Sequence, residues 1–131
     1  MSGMEGMALP VVEEFQIDVE EGIAILALNG WLDFRTYEEL EAALDELLRA
    51  GCYRVIVDMG KVEYISSAGA GSLMNAFSQC AGHQGRLVLV NLTPSVLEVL
   101  EVLNLNGVFQ TMPDIESALA ALRTDLSASG H

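Results

Sequence analysis

The 131-residue chain is about half hydrophobic (51%) and strongly acidic, with 19 Asp and Glu against 6 Lys and Arg and a formal net charge of -13. This length and apolar content predict a single domain that can bury a core. The acidic charge opposes direct binding to nucleic acid, because that affinity comes largely from Lys and Arg displacing counterions. The sequence has no apolar run of the roughly 18 residues that a membrane-spanning helix needs. Residues 1–9 also lack the basic start of a signal peptide. We therefore expect a cytoplasmic protein without membrane insertion.

The first part of the chain predicts a hairpin followed by a helix. Residues 1–10 are small and irregular, which is typical of a flexible leader. Residues 15–28 alternate apolar and polar positions and become continuously apolar after a Glu-Glu-Gly turn, which predicts two antiparallel strands. The apolar spacing then becomes helical as far as Ala50. Thr36 and Glu39 are predicted to form a capping box at the start of this helix.

The middle of the chain predicts two buried strands joined by a helix. Residues 54–58 and 87–90 include short apolar runs without alternation, as expected for strands that are covered on both faces. A second helix is predicted between them, over 68–81. The Gly-His-Gln-Gly sequence at 82–85 then predicts a turn into the next strand.

The last part predicts a helix, a short strand and a final helix. Thr93 is the expected N-cap of the third helix, with Pro94 at the first helical position, and the helix is expected to fade near Leu103. Residues 108–109 are predicted to form the last strand. Pro113 is expected to open a fourth helix with apolar residues at helical spacing.

The predicted order is β-β-α-β-α-β-α-β-α, an α/β fold. A hairpin followed by strands that alternate with helices implies a mixed, mostly parallel sheet with one antiparallel edge and helices covering it. We place the domain at 11–123 and expect residues 124–131, like the leader 1–10, to be flexible.

The sequence lacks the residue patterns of common catalytic sites. It contains no G-x-x-x-x-G-K-[ST], no H-E-x-x-H and no G-x-S-x-G. Cys52 and Cys80 have no zinc-ligand spacing, and His83 lies in a predicted surface turn. We therefore expect a non-enzymatic protein without cofactor or metal. A small nucleotide-binding or hydrolytic domain is the alternative that tight nucleotide binding would support.

Asp33 is a candidate contact for a partner. It follows Gly30-Trp31-Leu32, where the second strand leads into the first helix, and such a junction can expose an acid. The alternative is a carboxylate that caps the local turn, and the sequence favours neither.

Two serines, Ser66 and Ser67, stand where a buried strand leads into the second helix. Either can cap that helix by accepting a hydrogen bond from its free N–H groups. A phosphate at this point would also meet unsatisfied backbone donors, while it presents about two negative charges to a partner. The small residues Gly69 and Gly71 are expected to let another protein approach closely.

Residues 30–33, 64–71 and 87–94 together resemble the pattern of the STAS domain, the family of bacterial anti-sigma-factor antagonists. Gly30-Trp31-Leu32-Asp33 is similar to the family's G-x-L-D, and 64–71 (YISSAGAG) is similar to its D-S-S/T-G-L-G loop. Residues 87–91 followed by Pro94 and its helix also match. The resemblance covers nearly all of residues 15–122.

The resemblance implies partner switching. An unphosphorylated antagonist binds an anti-sigma factor and releases a sigma factor. The anti-sigma factor can itself be a serine-protein kinase that phosphorylates the antagonist and so expels it, and a phosphatase is a further candidate partner. Alignment on the two glycines places the phosphorylated serine at Ser67, with Ser66 as the alternative. The implied partner-binding residues are Asp33, Ser66, Ser67, Ala68, Gly69 and Gly71.

The chain departs from the family pattern at three positions. Ser66 stands where many antagonists have Asp, Ala68 replaces the second hydroxyl residue and Ala70 replaces the usual Leu. The alternative function is therefore a STAS domain that is not phosphorylated and serves as a docking subunit of a transporter or signalling complex.

Overall fold

The computed structural model describes residues 11–18 and 21–129. The order of its elements confirms the predicted α/β arrangement of five strands and four helices. Along the chain these elements are β1 (Val12–Asp18), β2 (Ile23–Leu32), α1 (Tyr37–Arg49), β3 (Arg54–Ile65), α2 (Ser67–Gly82), β4 (Arg86–Val90), α3 (Pro94–Val102), β5 (Gln110–Met112) and α4 (Ile115–Ser129).

The strands form one five-stranded sheet in the order β1-β2-β3-β4-β5. β1 is antiparallel to β2, and each later strand is parallel to its neighbour. The hairpin supplies the antiparallel edge because its turn is short, whereas a parallel pair needs a longer crossover that a helix provides. The mixed, mostly parallel sheet predicted from the sequence is thus confirmed.

The sheet is covered on both faces. Leucines of α1 and apolar residues of α2 and α3 pack with one face of the strands in the larger core cluster. Ala118 and Leu122 of α4 pack with Ile56 and Val88 in a second cluster. Because β3 and β4 are buried between these clusters, their unalternating apolar sequences are explained.

Strand β3 is longer than predicted. The sequence indicated an end at Asp58, but the strand continues to Ile65. Gly60 and Lys61 resemble a turn in sequence, yet they lie within the strand where its pairing with β2 shifts register. Met59, Val62 and Ile65 keep their side chains buried through this irregular stretch. A register shift breaks the two-residue period, and for this reason alternation could not reveal the extension.

The last strand lies later in the chain than predicted. Val108 and Phe109 are not in β5, which pairs Gln110–Met112 with Val88–Val90. Phe109 is instead buried, and its ring makes an edge-to-face contact with the ring of Phe77 at a centroid separation of 5.9 Å. The apolar side chain of Phe109, which suggested a strand, thus packs against helix α2.

The predicted capping box is wrong. The Thr36 hydroxyl donates to Trp31 O (2.7 Å) and accepts from Asp33 N (3.0 Å), so it stabilises the turn before α1. The Glu39 carboxylate accepts from Val12 N at 2.9 Å and ties α1 to β1. Both side chains find partners outside the helix, which a pattern confined to the helix start cannot indicate.

The final helix differs from its prediction at both ends. Asp114, rather than Pro113, caps α4 by accepting from Ser117 N at 2.8 Å. The helix continues to Ser129, so the tail predicted at 124–131 begins inside it. The predicted leader, 1–10, lies outside the described residues.

Candidate partner-binding site

Strand β3 projects beyond its neighbour β4, and the candidate site lies at its end. Pairing between these two strands stops at Asp58 and Val90, whereas pairing with β2 continues to Ile65 beside Leu32. Strands β2 and β3 therefore end together, and α2 begins directly after them. This arrangement brings the two sequence segments of the predicted site, 30–33 and 64–71, next to each other.

The two serines at this junction have different environments. Ser66 is extended, donates its N–H to Leu32 O at 2.8 Å and caps α2 by accepting from Gly69 N at a long 3.5 Å. Ser67 is the first residue of α2 and is exposed. Its hydroxyl makes no hydrogen bond with any residue that the structure describes. Ser66 thus has the structural role, and the Ser67 hydroxyl is available.

Asp33 is buried rather than exposed, with 6% of its surface accessible. Its Oδ1 accepts from Arg35 N at 2.9 Å, and its Oδ2 accepts from Arg35 Nη2 at 3.1 Å. The expectation of an exposed acid is therefore wrong, and the alternative, a carboxylate that caps its own turn, describes the geometry. The pKa of Asp33 is lowered, chiefly because its carboxylate accepts a hydrogen bond from the Arg35 backbone N–H. Desolvation by burial acts in the opposite direction.

The two glycines of α2 face different surroundings. Gly69 is buried, and a Cβ added there would lie 2.6 Å from Leu32 O, so only glycine lets the helix start this close to β2. Gly71 is exposed, and an added Cβ would meet nothing within 4 Å. Ala68 is half-buried beside them. The predicted approach of a partner over both glycines is therefore wrong for Gly69, whereas Gly71 lies on the open side of the helix.

Several large apolar side chains around the junction are exposed, and the sequence prediction did not include them. Trp31 at the end of β2 and Tyr64 at the end of β3 form an aromatic pair with ring centroids 5.0 Å apart and a 43° angle between planes. Phe34, in the turn that Asp33 holds, is 74% exposed. One signal for Trp31 was available in the sequence. Leu28 and Leu32 share one face of a strand, so Trp31 is on the opposite face from these leucines, and it also stands next to a predicted turn.

A groove lies beside Ser67, which we call the Ser67 groove. It has a volume of about 350 Å³ and runs between the end of β3 and helix α3. Its apolar wall includes Val102, which is 76% exposed, and its polar rim includes Glu98. The residues that line the groove include Tyr64, Ile65, Ser67, Glu98, Val99 and Val102.

No described arrangement pairs a nucleophile with a base near Ser67. His83 directly follows α2, about 24 Å from Ser67 along this 16-residue helix, and its ring stacks on that of Tyr53 with centroids 3.9 Å apart. Cys52 and Cys80 are buried and are not joined in a disulfide, and burial raises the pKa of Cys80 to about 11. This residue is thus protonated at neutral pH.

The helices of residues 11–18 and 21–129, and the His, Cys, Asp and Glu side chains of these segments, bear on two further kinds of site, a membrane span and a metal site. No helix there is long and apolar enough to cross a membrane. Nor do three or more His, Cys, Asp or Glu side chains of these segments cluster in a way that could hold a metal ion.

Comparison with known proteins gives one family. The STAS domain family model matches residues 14–118. Among curated proteins, BtrV of Bordetella bronchiseptica, named as a candidate anti-sigma factor antagonist, is 36% identical over 110 residues. That match covers 84% of this chain and 95% of BtrV.

Solved structures have the same fold at lower identity. A candidate anti-sigma factor antagonist from Thermotoga maritima superposes with a TM-score of 0.76 at 22% identity, covering 84% of this chain and 93% of that one. The anti-sigma factor antagonist SpoIIAA in its unphosphorylated form gives a TM-score of 0.70 at 21% identity, with 85% and 97% covered. The phosphorylated form of this Bacillus protein gives 0.62 at 21% identity, with 83% and 99% covered.

Proposed function

Because the chain belongs to the STAS domain family, we propose that it is an anti-sigma factor antagonist. It binds an anti-sigma factor and thereby releases a sigma factor in the cytoplasm. The relative BtrV, which matches most of both chains, is named for this activity. The chain acts by binding, and the Ser67 hydroxyl is the group that a partner modifies.

One observation carries the proposal that Ser67 is the phosphorylation site. Of two adjacent serines, Ser66 is engaged as the cap of α2, while Ser67 is exposed and its hydroxyl is free of hydrogen bonds to the described residues. A kinase can therefore reach Ser67 Oγ without dismantling the helix start. The partner kinase supplies ATP, and the γ-phosphoryl group is transferred from ATP to Ser67 Oγ. ADP leaves, and the hydroxyl proton goes to a base of the kinase. A phosphatase restores the hydroxyl by hydrolysis, in which water attacks the phosphorus, the bond to Ser67 Oγ breaks, Oγ regains a proton and inorganic phosphate leaves.

The fold tolerates a phosphate at this position. Ser67 is at the first turn of a 16-residue helix, where backbone N–H groups and the helix dipole favour negative charge. Phosphorylated or aspartate-substituted protein is therefore expected to remain folded. A loss of binding on phosphorylation then comes from the surface and not from unfolding.

The other predicted contact residues fall into two groups. Ala68 and Gly71 lie near Ser67 on the first turns of α2 and are proposed to contact the partner. Asp33, Ser66 and Gly69 act as positioning residues, because their bonds and contacts are to this chain itself.

Binding assays with the anti-sigma factors and serine kinases of the same organism test the proposal. Wild-type protein, Ser67→Ala and Ser67→Asp are each titrated against every purified candidate, with and without ATP. We expect binding by wild type and Ala, about 100-fold weaker binding by Asp, and ATP-dependent phosphate transfer to wild type only. Equal binding by all three without phosphate transfer would instead support the unswitched docking subunit.

A further inference from the structure

Several large apolar side chains are exposed on the surface around Ser67. Trp31 is 51% exposed, Phe34 74%, Tyr64 38% and Val102 76%. Single exposed apolar residues are common, but a group of them bordered by polar residues marks an interaction surface. Tyr64 belongs both to the aromatic pair and to the Ser67 groove, so these two features form one continuous surface.

The aromatic pair is well suited to binding a protein. Trp31 and Tyr64 are register partners on neighbouring strands, so the sheet fixes their backbones. Each ring also limits the movement of the other, at a centroid distance of 5.0 Å. Ordering such residues on binding costs little entropy, and Trp and Tyr are the residues most often found to dominate binding energy at interfaces.

The charge of this surface is acidic. Glu98 lines the Ser67 groove, and Glu63 and Glu101 are exposed on the same strand end and helix. The nearby bases are engaged, since Arg35 pairs with Asp33 at 3.1 Å and Lys61 with Glu13 at 3.0 Å. The complementary surface should therefore present Lys or Arg beside its apolar groups.

Resting on the proposed function, we propose that the Ser67 groove and the aromatic pair bind an apolar protrusion of the anti-sigma partner that is flanked by a basic side chain. The apolar group fills the groove between Tyr64 and Val102. Its basic neighbour pairs with Glu98, and Trp31 packs against the adjoining surface of the partner.

This geometry also gives phosphorylation a physical route to release. Ser67 lines the groove, so a phosphate on its Oγ places a hydrated group with about two negative charges where the apolar group of the partner would sit. An apolar side chain could then enter only by stripping water from the phosphate, which is costly in an apolar site. The phosphate therefore excludes the protrusion from the groove.

A pair of substitutions on α3 tests the surface directly. Val102 lines the Ser67 groove, whereas Leu97, also exposed at 46%, lines a different cavity with Thr111 and Pro113. Binding of the anti-sigma factor that the titration assays identify is measured by calorimetry. We expect Val102→Ser to weaken it about tenfold and Trp31→Ala about 30-fold, and Leu97→Ser to change it less than about twofold. Glu98→Gln should make the binding affinity less dependent on the salt concentration.

The single tryptophan gives a second readout that needs no substitution. Protein labelled with fluorotryptophan has one fluorine resonance, from Trp31. When the partner binds, we expect the chemical shift of this resonance to change and to stop depending on the solvent. When ATP is added, the resonance should return to the chemical shift of the unbound protein.

The outcomes separate the two proposals. If no anti-sigma factor or kinase binds the wild type, the proposed function is contradicted. If a partner binds but Val102→Ser and Leu97→Ser behave alike and the Trp31 resonance is unchanged, the function stands and the surface assigned here is wrong.

Discussion

The starts of α2 and α3 are built on the same local plan but offer different chemistry. Each helix follows a parallel strand, and each begins with a hydroxyl residue in an extended conformation that accepts from the N–H three residues later, Ser66 in α2 and Thr93 in α3. At the next position, α2 has the exposed Ser67 and α3 has Pro94. Both helix starts are capped, so the features that distinguish α2 are the exposed hydroxyl after the cap and the surface beside it.

The surroundings of the two starts differ as well. Strand β3 extends seven residues past its last pair with β4, Asp58 with Val90, so α2 begins next to the aromatic pair and the Ser67 groove. Strand β4 ends at Val90, and Thr93 is anchored by donating to Val62 O at 3.4 Å. The second junction is thus fixed to the domain, and the first is open to a partner.

The largest expected effect comes from making α2 begin as α3 does. In Ser67→Pro, the new proline stands at the first helical position, where it is tolerated, and Ser66 already has the extended conformation that a following proline requires. We expect normal folding by circular dichroism and phosphate incorporation at background level. The reciprocal Pro94→Ser should not become a phosphorylation site, and phosphate transfer to it would contradict the importance of the surrounding surface.

Glycine substitutions in α2 should separate packing from exposure. A Cβ at Gly69 would clash with Leu32 O at 2.6 Å, so Gly69→Ala should lower the free energy of unfolding by about 1–3 kcal/mol. Gly71 is in open space, and Gly71→Ala should raise it by about 0.5–1 kcal/mol because alanine favours the helix. Urea denaturation measures both. Equal destabilisation by the two variants would mean that Gly69 does not pack against β2 as described.

The smallest expected effects concern the caps. Thr93 accepts from Val96 N at 3.3 Å and also donates to Val62 O, so Thr93→Ala should destabilise the domain by about 1 kcal/mol. Ser66 accepts over 3.5 Å, and Ser66→Ala should cost about 0.5 kcal/mol. Thermal unfolding of the two variants gives the comparison. A larger loss in Ser66→Ala would show that this cap is the stronger one.

Much of the fold could be predicted because its signals are local. The buried strands at 54–58 and 87–90, the leucine spacing of α1 and the Thr93-Pro94 start of α3 each depend on neighbouring residues. The extension of β3 to Ile65 was missed because a register shift within the strand disrupts its period. The shift of β5 away from residues 108–109 depends on a contact between Phe109 and Phe77, which are distant in sequence.

Some features of the candidate site could likewise be predicted from the sequence, whereas others depend on contacts in the folded chain. The sequence located both serines, but it could not assign the cap to Ser66 and the free hydroxyl to Ser67, because that depends on which side chain reaches Gly69 N. The burial of Asp33 depends on the turn formed with Arg35. The aromatic pair was missed because Trp31 and Tyr64 meet only through the pairing of β2 with β3.

Mapping of the phosphorylated residue tests the central claim most directly. Wild-type protein is incubated with its kinase partner and ATP, digested and examined by mass spectrometry, while release of the partner is followed in the same sample. The account predicts phosphate on Ser67 alone and release in proportion to its occupancy. Phosphate on Ser66 instead, or release of the partner without any phosphate on Ser67, would contradict it.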